Sequence, residues 1–148
     1  LVGNDQLADG DSARAWPAVV RAYQDVRRDA EAALRRHGLK SLEEYDALLE
    51  LRRAARPLSL SELEAETLLR QYQISRLVDR LEARRLVERA VAPDDGRSRL
   101  VTLTKAGRLT QKAAGRAYAE VLDKRFANRL ANDELSMLRR LLLRVGAD

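Results

Sequence analysis

One stretch of this chain cannot be helical, and it constrains everything around it. Leu86-Val87-Glu88-Arg89-Ala90-Val91 and Arg99-Leu100-Val101-Thr102-Leu103 are rich in β-branched residues, and between them lies Pro93-Asp94-Asp95-Gly96, a run of turn formers. The pattern predicts a two-stranded hairpin. Whatever the fold, it must set a single hairpin among helices, because every other long segment carries apolar residues at three-and-four spacing.

Upstream, Trp16, Val19, Val20, Tyr23, Val26, Ala30, Ala33 and Leu34 mark a helix over residues 13–37, stopped by Gly38. Pro17 fits only a first turn, which places the true start near Trp16. Ser41-x-x-Glu44 is a capping box opening a second helix that runs to about Ala54 and ends before Arg56-Pro57. Ser59-x-x-Glu62 opens a short helix to about Thr67, with Ser61-x-x-Glu64 as a competing frame. In residues 71–84, Ile74, Leu77, Val78 and Leu81 form one buried stripe. After the hairpin, Thr104 caps a long helix carrying Leu109, Ala113, Ala117, Val121, Phe126 and Leu130, expected to reach Arg129 or Leu130. Asn132-Asp133-Glu134 opens a last helix with Leu135, Leu138, Leu141, Leu142 and Val145. With 148 residues, the expectation is a single mainly α domain with a small two-stranded β wing.

A short helix, a turn, a second helix and a hairpin are the parts of a winged helix-turn-helix, whose second helix enters the DNA major groove. Residues off the apolar stripe near the start of that helix are Gln71, Tyr72, Gln73, Ser75 and Arg76, with Arg80 a turn later. Gln can pair with adenine and Arg with guanine, and hydroxyls reach phosphates. On an arbitrary helix these residues would be an ordinary solvated face. Here they sit among Arg70, Arg76, Arg80, Arg84, Arg85, Arg89, Arg97 and Arg99, in a chain of net charge +5. At the hairpin tip, Arg97 or Arg99 can enter a minor groove, with Asp95 placed to orient Arg97 by a salt bridge.

Other classes are weaker. The chain has no Cys and one His, His37 beside the helix-ending Gly38, and no Gly-rich phosphate loop or carboxylate pair stands out. Neither a catalytic centre, a cofactor nor a transition-metal site is expected. No apolar run approaches the roughly 18 residues of a membrane span, which suggests a soluble, cytoplasmic protein. A winged helix used only to bind another protein is the remaining alternative.

The stretch from Leu58 to Arg108 resembles the MarR family of bacterial transcriptional regulators. The likeness is carried by Leu58-Ser59-Leu60-Ser61-Glu62-Leu63, Ser75-Arg76-Leu77-Val78-Asp79-Arg80-Leu81-Glu82, Leu86-Val87, Pro93-x-Asp95-x-Arg97 and Val101-x-Leu103-Thr104-x-x-Gly107. The resemblance implies a homodimer held by terminal helices, residues 13–40 and 105–148, around a DNA-binding lobe at 41–104. It implies a repressor on a pseudo-palindromic double-stranded operator, with half-site centres roughly 34–36 Å apart. Ser75, Arg76 and Arg80, with Asp95 and Arg97 of the wing, match its DNA-contacting positions. A small aromatic effector is also implied, for which Trp16, Tyr23, Tyr45 and Tyr118 are candidate lining residues, core packing being their plainer role. The chain departs from the family pattern at Leu68, Arg70 and Arg85, where Gly, Ser and Gly are usual, and at Tyr72 and Gln73, which replace small hydroxyl residues.

Overall fold

The computed structural model describes residues 10–67 and 71–147, with the backbone alone at Gln71, Tyr72, Asp95, Arg97 and Ser98. The elements run α1 (Asp11–Arg35), α2 (Leu42–Ala54), β1 (Leu58–Ser59), α3 (Leu60–Thr67), α4 (Gln71–Ala83), β2 (Val87–Ala92), β3 (Asp95–Leu103), α5 (Lys105–Leu122), a π-helical turn (Asp123–Ala127) and α6 (Asn132–Gly146). They form two compact units, one of residues up to 30 and from 120, the other of residues 31–119.

The central unit is built on the predicted stripe. Ile74, Leu77, Val78 and Leu81 of α4 are all buried, packed with Leu34, Leu39, Leu48, Leu63, Val87 and Val101 in one core. Each such side chain contributes on the order of 1.5–3 kcal/mol by leaving water. The capping signals are realised as hydrogen bonds. Glu62 N donates to Ser59 Oγ at 3.1 Å and Ser59 N to Glu62 Oε1 at 3.3 Å, so the Ser59 frame sets the start of α3 and the Ser61 frame is unused. At α2 the box is skewed: Glu44 N donates to Ser41 Oγ, but the Glu44 carboxylate accepts from Lys40 N, one residue earlier than a regular box.

The hairpin is part of a larger sheet than the sequence suggests. Three antiparallel strands lie in the order β1-β3-β2, because Leu58 and Ser59 pair with Val101 and Leu100. Two residues carry too little periodicity to show as a strand, but they occupy the β3 edge that a two-stranded wing would leave open. The turn is also tighter: Pro93 and Asp94 alone make it, and Asp95 and Gly96 belong to β3, with a register shift at Val91/Ala92.

Two helix boundaries differ from the periodicity. α1 begins at Asp11 rather than near Trp16, so Pro17 sits inside it. Pro17 has no N–H to donate to the Ala13 carbonyl, which costs the helix one bond, and the aspartate in the first turn and alanines at 13, 15 and 18 carry the helix through. α5 stops at Leu122, where Asn128 N bonds to Asp123 O in the wider π spacing. A π turn rotates the residues downstream of it by about 100° relative to an unbroken helix, so a stripe drawn from Leu109 through Leu130 does not hold. In the same unit Arg125 pairs with Asp29 through Nε at 2.8 Å and Nη2 at 2.5 Å.

The Arg125 hydrogen bonds hold the Asp29 carboxyl below its usual range of 3.8. The folded value is depressed, so the stabilisation is present above the unfolded value and is lost as pH falls through the folded one. Asp29→Asn should therefore flatten the acid limb of a stability-versus-pH curve below about pH 4, and an unchanged limb would contradict the pairing.

Three helix ends use left-handed residues, and at the end of α2 that residue is Ala55, at φ 53°. Gly38, at φ 80°, closes α1, with Leu39 N bonded to Leu34 O and Gly38 N to Arg35 O. The same bonds recur at the end of α4, from Leu86 N to Leu81 O and Arg85 N to Glu82 O, but the left-handed residue is Arg85, at φ 59°. A side chain in that region costs roughly 1–2 kcal/mol that glycine does not. Arg85→Gly is expected to stabilise the lobe by about 0.5–1 kcal/mol after the added unfolded-chain entropy, read as a raised urea midpoint; a lowered midpoint would show that the Arg85 side chain outweighs its strain.

Candidate nucleic-acid interface

α3 and α4 lie in sequence on the central core, and β2 and β3 follow them directly. The first positions of α4, Gln71 and Tyr72, are described by backbone only; Gln73 is exposed and Ser75 half-buried. Arg76 is exposed and has no ion pair among the described residues, and Arg99 on β3, opposite Val91, is likewise exposed. Asp95 and Arg97 occupy the start of β3 beside the turn, and the expected salt bridge between them lies outside the described side chains, as do Leu68 and Arg70.

The arginine cluster is not a uniform positive face. Arg89 reaches from β2 onto α4: Nη1 donates to Asp79 Oδ1 at 2.6 Å and Glu82 Oε1 at 3.2 Å, and Nη2 to the Ser75 carbonyl at 3.2 Å. Its backbone N–H bonds to Glu82 Oε2 at 3.1 Å, so one residue ties the wing to the recognition helix at three points along it. Glu44 is fully buried, with Arg84 Nη2 at 2.7 Å and Arg80 Nε at 3.5 Å from its Oε1. Arg84 Nη1 also donates to the Gly38 carbonyl. Arg84 and Arg89 therefore fix the lobe, while Arg76, Arg85 and Arg99 are exposed with no ion pair among the described residues. Sequence reasoning placed Glu44 in a capping box and Arg89 in the basic cluster but missed their ion pairs, because contacts between residues 44 and 84 or 79 and 89 leave no local spacing signal.

The junction between wing and α5 is equally specific. Thr104 caps α5 through a bond from Gly107 N to its Oγ1 at 2.9 Å, while that hydroxyl donates to the carbonyls of Arg85 and Leu86. Gly107 lies so close to Leu86 that a Cβ there would stand 1.9 Å from the Leu86 carbonyl oxygen.

The four aromatic candidates fall in different units. Trp16 and Tyr23 are exposed on α1, with Arg27 Nη1 donating to the Tyr23 hydroxyl at 2.9 Å. Tyr45 is in the central core, edge to face with Tyr118 at 5.3 Å between ring centroids. Burial pushes the Tyr118 hydroxyl above its usual value of 10.0, with Asp46 and Tyr45 adding to the effect. Beside them the buried Gln111 bridges, accepting from Arg52 Nη1 at 2.8 Å and facing Tyr45 Oη at 3.4 Å. Among the described residues no group of His, Cys, Asp and Glu could hold a metal, and no helix is long and apolar enough to cross a membrane.

A helix-turn-helix pinned to a β wing, with an arginine left open on its second helix, defines the central unit as a winged helix-turn-helix. The family model described as MarR family matches residues 37–98. A probable transcriptional regulator from Pseudomonas aeruginosa is 30% identical, covering 86% of this chain and 93% of that one, with a TM-score of 0.77. BpsR of Bordetella bronchiseptica, whose DNA binding is regulated by 6-hydroxynicotinic acid, is 25% identical over 94% of this chain and 98% of its own, with a TM-score of 0.81. A MarR variant from E. coli complexed with operator DNA shares the fold at 24% identity and a TM-score of 0.79, over 88% of this chain and 92% of that one. No curated protein sequence matches significantly. The chain belongs to the MarR family of transcriptional regulators.

Proposed function

We propose that this protein is a cytoplasmic transcriptional repressor that binds a pseudo-palindromic operator as a homodimer. The observation that carries this reading is the division of the arginines: Arg84, just after α4, and Arg89 on β2 are tied to carboxylates, while Arg76 is exposed and has no ion pair among the described residues, on the helix that a winged helix-turn-helix places in the major groove. Gln71, Tyr72, Gln73, Ser75, Arg76 and Arg80 read the major groove in this reading, and Asp95, Arg97 and Arg99 form the wing contact. Selection of bound duplexes from a random pool, with mass measured in solution, tests it. A two-fold consensus, a dimer mass and a steep loss of affinity with salt are expected; binding without sequence preference or salt dependence would overturn it.

The dimer reading rests on the terminal helices. Trp16, Val19 and Tyr23 on α1, and Met137, Leu141, Leu142, Leu143 and Val145 on α6, are all exposed, more apolar surface than a lone soluble unit ordinarily shows. Phe126, Leu135, Leu138, Leu142 and Leu143 line a groove of about 420 Å³ that a second copy would fill. Leu142→Glu should convert dimer to monomer in sedimentation and weaken operator binding at least tenfold, since the half-sites would then bind independently. A dimer of unchanged mass would exclude this face.

For the signal, the relative BpsR motivates a small aromatic acid as effector, with Trp16, Tyr23, Tyr45 and Tyr118 as candidate contacts. An effector that favours a dimer whose recognition helices no longer match two successive grooves lowers affinity by its differential binding to that state. Titration with a panel of aromatic acids should find one that releases the operator; unchanged affinity across the panel would remove this part of the reading.

A further inference from the structure

We propose that Glu44 is a positioning residue for DNA recognition, holding Arg80 by its Nε so that the two terminal nitrogens are presented to DNA as a fork. The inference rests on the DNA-binding reading above and adds a residue that lies off the recognition helix. Three observations carry it. Glu44 is fully buried and fixed at both ends, its backbone N–H on Ser41 Oγ at 3.2 Å and its Oε2 accepting from Lys40 N at 2.8 Å. Its other oxygen, Oε1, has no aligned hydrogen bond, although Arg84 Nη2 is 2.7 Å away and Arg80 Nε 3.5 Å.

The third concerns the arginines, which are not equivalent. Arg84 is mostly covered and is also held by the Gly38 carbonyl, so it supplies the charge that a buried carboxylate requires. Arg80 is half-exposed, faces Glu44 only through Nε, and its Nη1 and Nη2 have no partner among the described residues. Guanidinium reads guanine or phosphate through a planar pair of N–H groups, and orienting that plane beforehand removes side-chain entropy that binding would otherwise lose. The buried carboxylate, 3.5 Å from Nε, draws the guanidinium by its Nε side as an ion pair and leaves the fork unoccupied, which narrows the orientations of the plane.

The test uses the full chain, the duplex selected from the random pool and an unrelated duplex of equal length. Glu44→Gln is expected to weaken the selected duplex about tenfold and the unrelated one less than about twofold, and to add less than about twofold in an Arg80→Ala background. Equal loss on both duplexes, equal loss in both backgrounds, or no loss overturns the proposal. Should Glu44→Gln fail to fold, the wild-type Arg80 Nε–H resonance, identified by its absence in Arg80→Ala, decides: exchange slower than at Arg76 supports the contact and equally fast exchange overturns it. A wild type with no preferred duplex overturns the DNA-binding reading itself, whereas a binding wild type with additive variants overturns only the role of Glu44.

Discussion

Gly107→Ala is expected to be the most destabilising single substitution in the lobe, costing about 3 kcal/mol or more. A Cβ at this position would stand 1.9 Å from the Leu86 carbonyl oxygen and 2.9 Å from both its carbon and Leu103 Cδ1. The leucine side chain can turn away, but the carbonyl cannot. It accepts from Thr104 N at 3.1 Å and Thr104 Oγ1 at 3.0 Å, and Leu86 N is itself bonded to Leu81 O at 3.0 Å. Relief would have to separate α5 from the start of β2 and undo the cap at Thr104. In a thermal melt the loss should appear as a drop on the order of 10 °C. Gly146→Ala is the control, since nothing lies within 4 Å of its Cβ. A Gly107→Ala melting point within about 2 °C of wild type would mean that the close approach is not part of the folded state.

Gly107 also shows where sequence was informative. Thr104-x-x-Gly107 is visible in the sequence as part of a family likeness, and its physical content is a hydroxyl that caps one helix while gripping the end of another, with a glycine where backbone meets backbone. Signals of this kind are local: the Ser59–Glu62 box, the Ile74-to-Leu81 stripe and the Thr104 cap each depend on residues within about two turns of one another, and each appears in the structure. Features that depend on distant partners were not legible. β1 forms only because β3 offers it an edge. The π turn at 123–127 interrupts a period that looked continuous. Arg80, Arg84 and Arg89 read as one basic patch, yet their partners Glu44, Asp79 and Glu82 are set by tertiary placement, and that placement separates structural arginines from exposed ones.

That separation gives the second large expected effect, on DNA binding rather than folding. Arg76 is exposed, and no carboxylate among the described residues competes for it. Arg76→Ala should leave the melting point within about 1 °C of wild type, because an exposed, unpaired side chain contributes little to stability. If its guanidinium reads a guanine, a bidentate pair is worth about 1–3 kcal/mol against the wrong base, so the selected duplex should be weakened roughly 10- to 100-fold. Preference should relax at one position of each half-site. Arg97→Ala, on the wing, should instead weaken all duplexes more evenly and lower the slope of log affinity against log salt by about one. The two substitutions thus separate base reading from phosphate attraction. If both variants keep wild-type affinity, the recognition surface lies elsewhere; if Arg76→Ala merely flattens the salt slope, Arg76 holds a phosphate, and the base contacts fall to Gln71, Tyr72, Gln73, Ser75 and the Glu44-held Arg80.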